Sequence, residues 1–415
     1  MTDVLDVCRR AAHVAPEIAR LTSEVKNRAL HAMAAALEDR SAELIEHNAE
    51  DVERALSDGM SKTLVDRLTL TESRLAGMSG GLRIVAAQDN LVGQVIEGWK
   101  RPNGLLIERV RAPLGVVAVI YEARPNVTAD VAGLCLKSGN AGLLRGSSSA
   151  TASNRAIVDV LCAAAMSEGV PADAIQLVPG TSRASAVELM QAKGLVDLLI
   201  PRGGKELIKS IEDNATVPFI IDGDGNCHIF VDASADPKMA TDIVLNAKTQ
   251  RPSVCNAAET LLVHNETADK WLAGALDLLA GKGVEIRGDE RVRALWPDAL
   301  PATDEDWSTE YLDLVLAVRI VDSLDDAIAH VNNYGTSNAE AIVTGDLEAA
   351  RRFSSEVDSG SVFVNASTRF SDGGEFGFGA EIGISTQKLH ARGPMGLQAL
   401  TSERFVVWGE GQIRE

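Results

Sequence analysis

No stretch of this 415-residue sequence approaches the ~20 consecutive apolar residues that a membrane span needs. Residues 1–20 mix acids and bases without the apolar centre of a secretory leader, so the chain is expected in the cytoplasm, away from membranes. Basic residues are in deficit: 40 Lys and Arg stand against 59 Asp and Glu, a net charge of −19, which disfavours nucleic acid or anionic lipid as a general partner. An anionic small ligand stays compatible wherever basic groups cluster. Cysteine is scarce and unpatterned. The five, Cys8, Cys135, Cys162, Cys227 and Cys255, lack CxxC spacing and are odd in number, which argues against a disulfide framework and a zinc site. Seven histidines without an HExxH motif give no metal site either. Repeats of fixed period and low-complexity segments are also lacking. What remains is an ordinary globular mix, 46% hydrophobic and 24% charged, long enough for two or three domains.

Residues 1 to about 90 read as helices, with apolar positions every three or four residues through Val25 to Leu37 and Leu44 to Leu56, and a break at Asp58-Gly59. From Gly104 the pattern becomes LLIERVRAPLGVVAVI, in which Pro113 separates an exposed arm from a buried central strand, GVVAVI. Strands and helices then alternate: a helix from Pro125, GLLRG, a helix 150–166, IQLVP, a helix 183–191, DLLIP, a helix 204–213 and VPFII. A second series follows Asn246, through ETLLVH, a helix 266–280, VEIRG, a strand near Leu314, a helix 323–332, AIVTG, a helix 346–355 and SVFVN. This rhythm predicts α/β domains built on parallel sheets, with ligands at the carboxyl ends of the strands.

The first strand lacks a GxGxxG fingerprint. In DLLIPRGGKEL, Gly203 and Gly204 stand between strand and helix, either as a plain turn or as backbone N–H groups facing a pyrophosphate. Cys255 lies in KTQRPSVCNAAET after Lys248 and Arg251, whose charges would favour a thiolate; the other reading is a small buried hydrophobe. Arg124 and Asn126 open a helix, where the Asn126 amide either steadies an oxyanion or caps the helix. Lys137 and Arg145 are either solvated charges or complements to a helix dipole.

Taken together, YEARPNVTADVAGLCLKSGNA, LLIPRGG, NAKTQRPSVCNAAETLLVH, VNASTRFSDGG and GAEIGISTQKLHARGPMGLQALTS resemble the aldehyde dehydrogenase superfamily over nearly the whole chain. The likeness is greatest to its branch that reduces L-glutamyl 5-phosphate to L-glutamate 5-semialdehyde for proline biosynthesis. The resemblance implies an aldehyde dehydrogenase-like α/β fold of two parallel-sheet domains plus a β-hairpin oligomerisation arm. Residues 1–235 would form the NADP-binding domain, with 93–112 as the hairpin. Residues 236–365 would form the catalytic domain, and 366–415 a return segment ending in an oligomerisation strand.

The resemblance also implies Cys255 as nucleophile, with Asn126 and the Cys255 N–H as oxyanion donors. It assigns Lys137 to the adenine ribose, Gly203 and Gly204 to the pyrophosphate, and Glu310 in TEYLDLV to the nicotinamide ribose. Asn140 stands where the superfamily often has a 2′-phosphate-repelling acid. With Lys137 and Arg145 it points to NADPH/NADP as cofactor. Asn365, Ser367, Thr368 and Arg369 are implied contacts of the glutamate moiety, and Arg251 or Arg124 of the phosphate, each arginine having a structural ion pair as its alternative. The hydrolytic enzymes' general-base Glu is absent from FIIDGDGNCHIF, where Ile221 and Asp222 stand, so phosphate rather than water is the expected acyl acceptor. Asp222 as a displaced base, in a hydrolytic aldehyde dehydrogenase acting on another small aldehyde, is the competing reading. Asn338 replaces a usual family His, which leaves no contact to transfer there. The arm implies a homodimer or a tetramer of dimers, which a monomeric mass by light scattering would contradict. A glutamate 5-kinase is a candidate partner, with no docking segment identified.

Overall fold

The structure is a computed structural model that describes residues 3–221 and 223–414, apart from the side chain of Thr63. The chain folds into two compact units, one of residues 3–221, 377–383 and 395–414, the other of residues 223–376 and 384–394.

The first unit opens with the expected helices. In Ser23–Asp39, Thr22 caps the N-terminus by accepting from Val25 N, and Leu30, Met33 and Leu37 form one buried stripe. Leu75, Met78 and Leu82 do the same in Glu72–Ala87. Both stripes pack toward helix Pro125–Ser138 at Gly133, where a Cβ would lie 2.5 Å from Leu82 Cδ2 and 3.5 Å from Leu30 Cδ2, so a larger residue would have to displace those side-chain ends.

Four parallel strands form the sheet of this unit, in the order Ile175–Leu177, Ala141–Arg145, Val116–Tyr121, Leu198–Arg202. Val116–Tyr121 is buried along its whole length, as its apolar run rich in Val and Ile predicts. The segment 217–221 departs from expectation. It makes only an isolated bridge from Phe219 to Leu199, because Pro218 has no N–H with which to continue a ladder. The arm is a three-stranded antiparallel sheet of Val95–Lys100, Leu106–Pro113 and Thr401–Trp408. Arg109 bridges Glu97 and Glu403 across it at 3.1 Å each, while Trp99 packs edge-on to Phe405.

The second unit is a seven-stranded parallel sheet in the order Leu300–Pro301, Glu285–Gly288, Val315–Val321, Ala258–His264, Cys227–Val231, Ala339–Val343, Ser361–Val364. Its strands bury Ile229, Leu261 and Val318 with Trp271, Leu272 and Leu276 of helix Asn265–Ala280. Phe230, Leu262 and Ile342 are buried with Val331 and Phe353 of helices Leu324–Tyr334 and Leu347–Glu356. Starting the second series at Asn246 missed strand Cys227–Val231 and most of helix Pro237–Thr249. The helix start was visible: Asp236 accepts from Met239 N at 2.8 Å and Pro237 fills the first turn.

Candidate active site

Cys255 lies between helix Pro237–Thr249 and strand Ala258–His264, at the amino end of that strand. The neighbouring strands Cys227–Val231 and Ala339–Val343 bring Gly225, Asn226 and Asn338 to the same edge. The site of this unit is therefore gathered at amino ends, not at the carboxyl ends that a parallel sheet suggests.

The scaffold grips the Cys255 backbone. Its carbonyl oxygen accepts from Asn338 Nδ2 at 3.0 Å and from Cys227 Sγ at 3.2 Å. Burial pushes the Cys227 thiol well above its usual pKa, which keeps it a donor. Gly225 abuts the same peptide: a Cβ there would overlap the carbonyl oxygen and lie 2.5 Å from the carbonyl carbon. Asn338 is buried and serves as this carbonyl clamp.

Asn256 ties the segment to the 365–371 loop. Its carbonyl accepts from Thr368 Oγ1 at 2.7 Å, and its Nδ2 donates to Ser371 O at 3.0 Å. Arg369 Nε donates to Gln250 Oε1 at 2.9 Å. Burial draws the Arg369 pKa down, Arg251 adds to the effect, and Cys255 is among the groups that pull it back up. Arg251 is exposed.

Other expected residues are placed differently. Lys248 cannot lend its charge to the thiol unopposed, because it is buried against Glu259 at 2.5 Å. Asn365 lies at the carboxyl edge, where its amide exchanges two hydrogen bonds with the Thr344 backbone, at 2.8 and 2.9 Å. Ser367 and Thr368 are buried, with hydroxyls committed to Arg369 N and Asn256 O. Of the four implied glutamate contacts, only Arg369 keeps a charged group at the Cys255 edge. Glu310 accepts from Gly225 N at 2.8 Å through Oε1.

In the first unit, Gly203 and Gly204 form the turn between Leu198–Arg202 and helix Lys205–Asn214, and Gly204 N donates to Glu122 Oε1 at 3.0 Å. Arg145 ends strand Ala141–Arg145; its Nη2 donates to Ser182 O at 2.9 Å, while its buried Nε has no hydrogen-bond partner. Asn126 is exposed in the first turn of its helix and does not cap it; Nδ2 donates to Asp130 Oδ2 at 3.3 Å. Burial pushes the Asp130 carboxyl up to about 6 against the pull of that amide. Arg124 is the N-cap residue and makes no side-chain cap bond.

Lys137 requires a correction. It is 2% exposed, with Nζ donating to Asn27 Oδ1 at 2.7 Å and Ala86 O at 2.8 Å, so its ammonium is used inside the helical layer and does not meet a ribose. Asn140 is likewise interior, donating to Leu400 O and accepting from Gly115 N at 2.8 Å each. Neither bears on a 2′-phosphate. Sequence reasoning missed Gly225, Asn338 as a clamp, and Glu259; a charged residue opening the apolar run ETLLVH was the local signal for the last. Among the described residues no group of three or more His, Cys, Asp or Glu could hold a metal, and no helix is long and apolar enough to cross a membrane.

The aldehyde dehydrogenase family model matches residues 1–285 and 299–401, and the chain belongs to that family, which implies a nicotinamide cofactor and a small-molecule substrate. The chain is 55% identical over 412 residues to the γ-glutamyl phosphate reductase of Thermobifida fusca, covering 99% of each, and 55% identical over 407 residues to that of Moorella thermoacetica. The crystal structure of γ-glutamyl phosphate reductase from Thermotoga maritima matches with a TM-score of 0.98 at 46% identity over 100% of both chains. An acetylating aldehyde dehydrogenase from Geobacillus thermoglucosidasius, at 17% identity and a TM-score of 0.68, shares the fold. The expected family and fold class both hold.

Proposed function

We propose that this chain reduces L-glutamyl 5-phosphate to L-glutamate 5-semialdehyde and phosphate with NADPH, through a thioester on Cys255, as a step of proline biosynthesis. The observation that carries the reading is near-full-length identity above half to relatives named for that reduction, combined with a clamped cysteine four residues after Arg251, in a segment that Arg369 meets through Gln250. Those relatives are reductases, so hydrolysis of another aldehyde is not favoured. Asp222, its base, lies outside the described residues.

The Cys255 thiolate attacks the acyl carbon, and the negative oxygen is steadied by the Cys255 N–H and the Asn126 amide. The carbon–oxygen bond to phosphate then breaks, and the leaving dianion is met by Arg251 or Arg124 while Arg369 faces the glutamate moiety. When bound, the nicotinamide supplies hydride to the thioester carbon. Cleavage of the carbon–sulfur bond releases the semialdehyde and restores the Cys255 thiolate.

The chain's residues fit such a cofactor. A βα turn with two glycines, the unpartnered Arg145 Nε and the Glu310 carboxylate are the groups assigned to it. Once Lys137 and Asn140 are set aside, selectivity for NADPH rests on Arg145. Arg145→Ala should raise KM for NADPH about 10-fold with little change for NADH; equal changes in both would remove Arg145 from the 2′-phosphate.

The function itself is tested in reverse. Oxidation of glutamate 5-semialdehyde by NADP⁺ should fall about 10²-fold when phosphate is omitted, since segment 219–230 carries no Glu to act as general base on water. Propanal serves as the control. Equal rates without phosphate would favour hydrolysis, and equal rates with propanal would remove the substrate assignment. Five free thiols suit a reducing cytoplasm, the exposed arm suits a homodimer or dimer-built tetramer, and a glutamate 5-kinase is the natural donor of so labile a substrate.

A further inference from the structure

The buried ion pair between Lys248 and Glu259 has no part in the chemistry above. Both side chains are 0% exposed, and Nζ lies 2.5 Å from Oε2. Such a pair is weak support for stability, because the loss of hydration offsets most of the attraction, and an apolar pair of similar volume does as well. Its second oxygen indicates a geometric role: Glu259 Oε1 accepts from Leu312 N at 3.1 Å.

Leu312 has φ of 55°, in the left-handed region that a branched side chain rarely enters unless its surroundings hold it there. Two residues earlier in the same stretch is Glu310, whose Oε1 accepts from Gly225 N at 2.8 Å. Gly225 in turn abuts the Cys255 peptide. The links thus run from Lys248 to Glu259, to the Leu312 amide, to the aim of Glu310, and to the seat of the nucleophile.

We infer that Glu259, oriented by Lys248, is a positioning residue for Glu310. The consequence for catalysis rests on the reading of Glu310 as a nicotinamide-ribose contact. Burial pushes the Glu259 carboxyl up to about 7 even against the pull of Lys248. Without the ammonium the carboxyl would take up a proton, and its two oxygens would cease to be equivalent acceptors.

The test compares two double variants of the full chain. Lys248→Met with Glu259→Leu removes both charge and acceptor, whereas Lys248→Met with Glu259→Gln removes charge and keeps an acceptor for Leu312 N. The leucine pair is expected to speed hydrogen exchange at the Gly225 amide and to raise KM for NADPH, each about 10-fold, with kcat changed less. The glutamine pair, which keeps the acceptor but loses the hold of Lys248, should fall clearly short of the leucine pair in both. Adding Glu310→Gln to the leucine pair should produce no further rise in KM.

Unchanged Gly225 exchange in the leucine pair, equal effects of the two pairs, or multiplicative effects with Glu310→Gln would each overturn the inference. Should the leucine pair not fold, Lys248→Met alone leaves the carboxylate unheld. Faster Gly225 exchange then supports the inference and wild-type exchange overturns it. If Glu310→Gln frees the Gly225 amide but leaves KM for NADPH unchanged, the cofactor reading of Glu310 fails, and the exchange data alone still decide the positioning role.

Discussion

Replacing Cys255 by alanine is expected to abolish reduction, with kcat down by about 10³-fold or more and the melting temperature close to wild type. A nucleophile cannot be replaced by its neighbours, because no covalent carrier then holds the acyl group for the hydride donor. The fold should survive because the scaffold holds the peptide carbonyl, through Asn338 and Cys227, and not the sulfur. The other thiols are poor substitutes. Burial raises Cys8 to about 11 and Cys135 and Cys162 to about 12, so they stay protonated at neutral pH. Steady-state turnover beside a thermal melt decides the matter. A loss below tenfold would remove Cys255 as the nucleophile.

Gly225→Ala should cost nearly as much without touching any reacting group. The added methyl would meet backbone atoms of Cys255, which cannot swing aside as a flexible side chain would. Either the Cys255 peptide moves or the 223–226 segment does. The first loosens the Asn338 clamp, and the second draws the Gly225 N–H away from Glu310. A displacement near 1 Å at a nucleophile costs about 10² in rate, so a comparable fall in kcat is expected, with some loss of melting temperature. Activity within a factor of about three of wild type, a change well under 1 kcal/mol, would mean that the seat is less rigid than it looks.

The fold was legible because its signals are local. The apolar run at Val116–Tyr121, the helix from Pro125 and the alternation that follows each lie within a few residues of chain. Segment 217–221 failed where apolar character was read without the missing donor of Pro218. At the site, Cys255 and Glu310 came through resemblance, and neither composition nor spacing separates Cys255 from the other four cysteines. What stayed hidden is non-local. Lys137 at a helix end looks solvated, yet its partners Asn27 and Ala86 are 110 and 51 residues away. The clamp on Cys255 likewise needs Asn338, 83 residues on, and Cys227, 28 residues back, which meet only when three strands align. Asn365 is tied to Thr344 at the carboxyl edge while Arg369, four residues on, reaches Gln250 beside the Cys255 segment, a reversal within one loop that no residue type announces.

The arm has an optical consequence. Of five tryptophans, Trp271, Trp296 and Trp307 belong to the second unit, so the emission of the first unit comes only from Trp99 and Trp408, 38% and 59% exposed on the arm. With Trp271, Trp296 and Trp307 changed to phenylalanine, the colour of the fluorescence would report, without any added dye, whether something dry has settled on that small sheet.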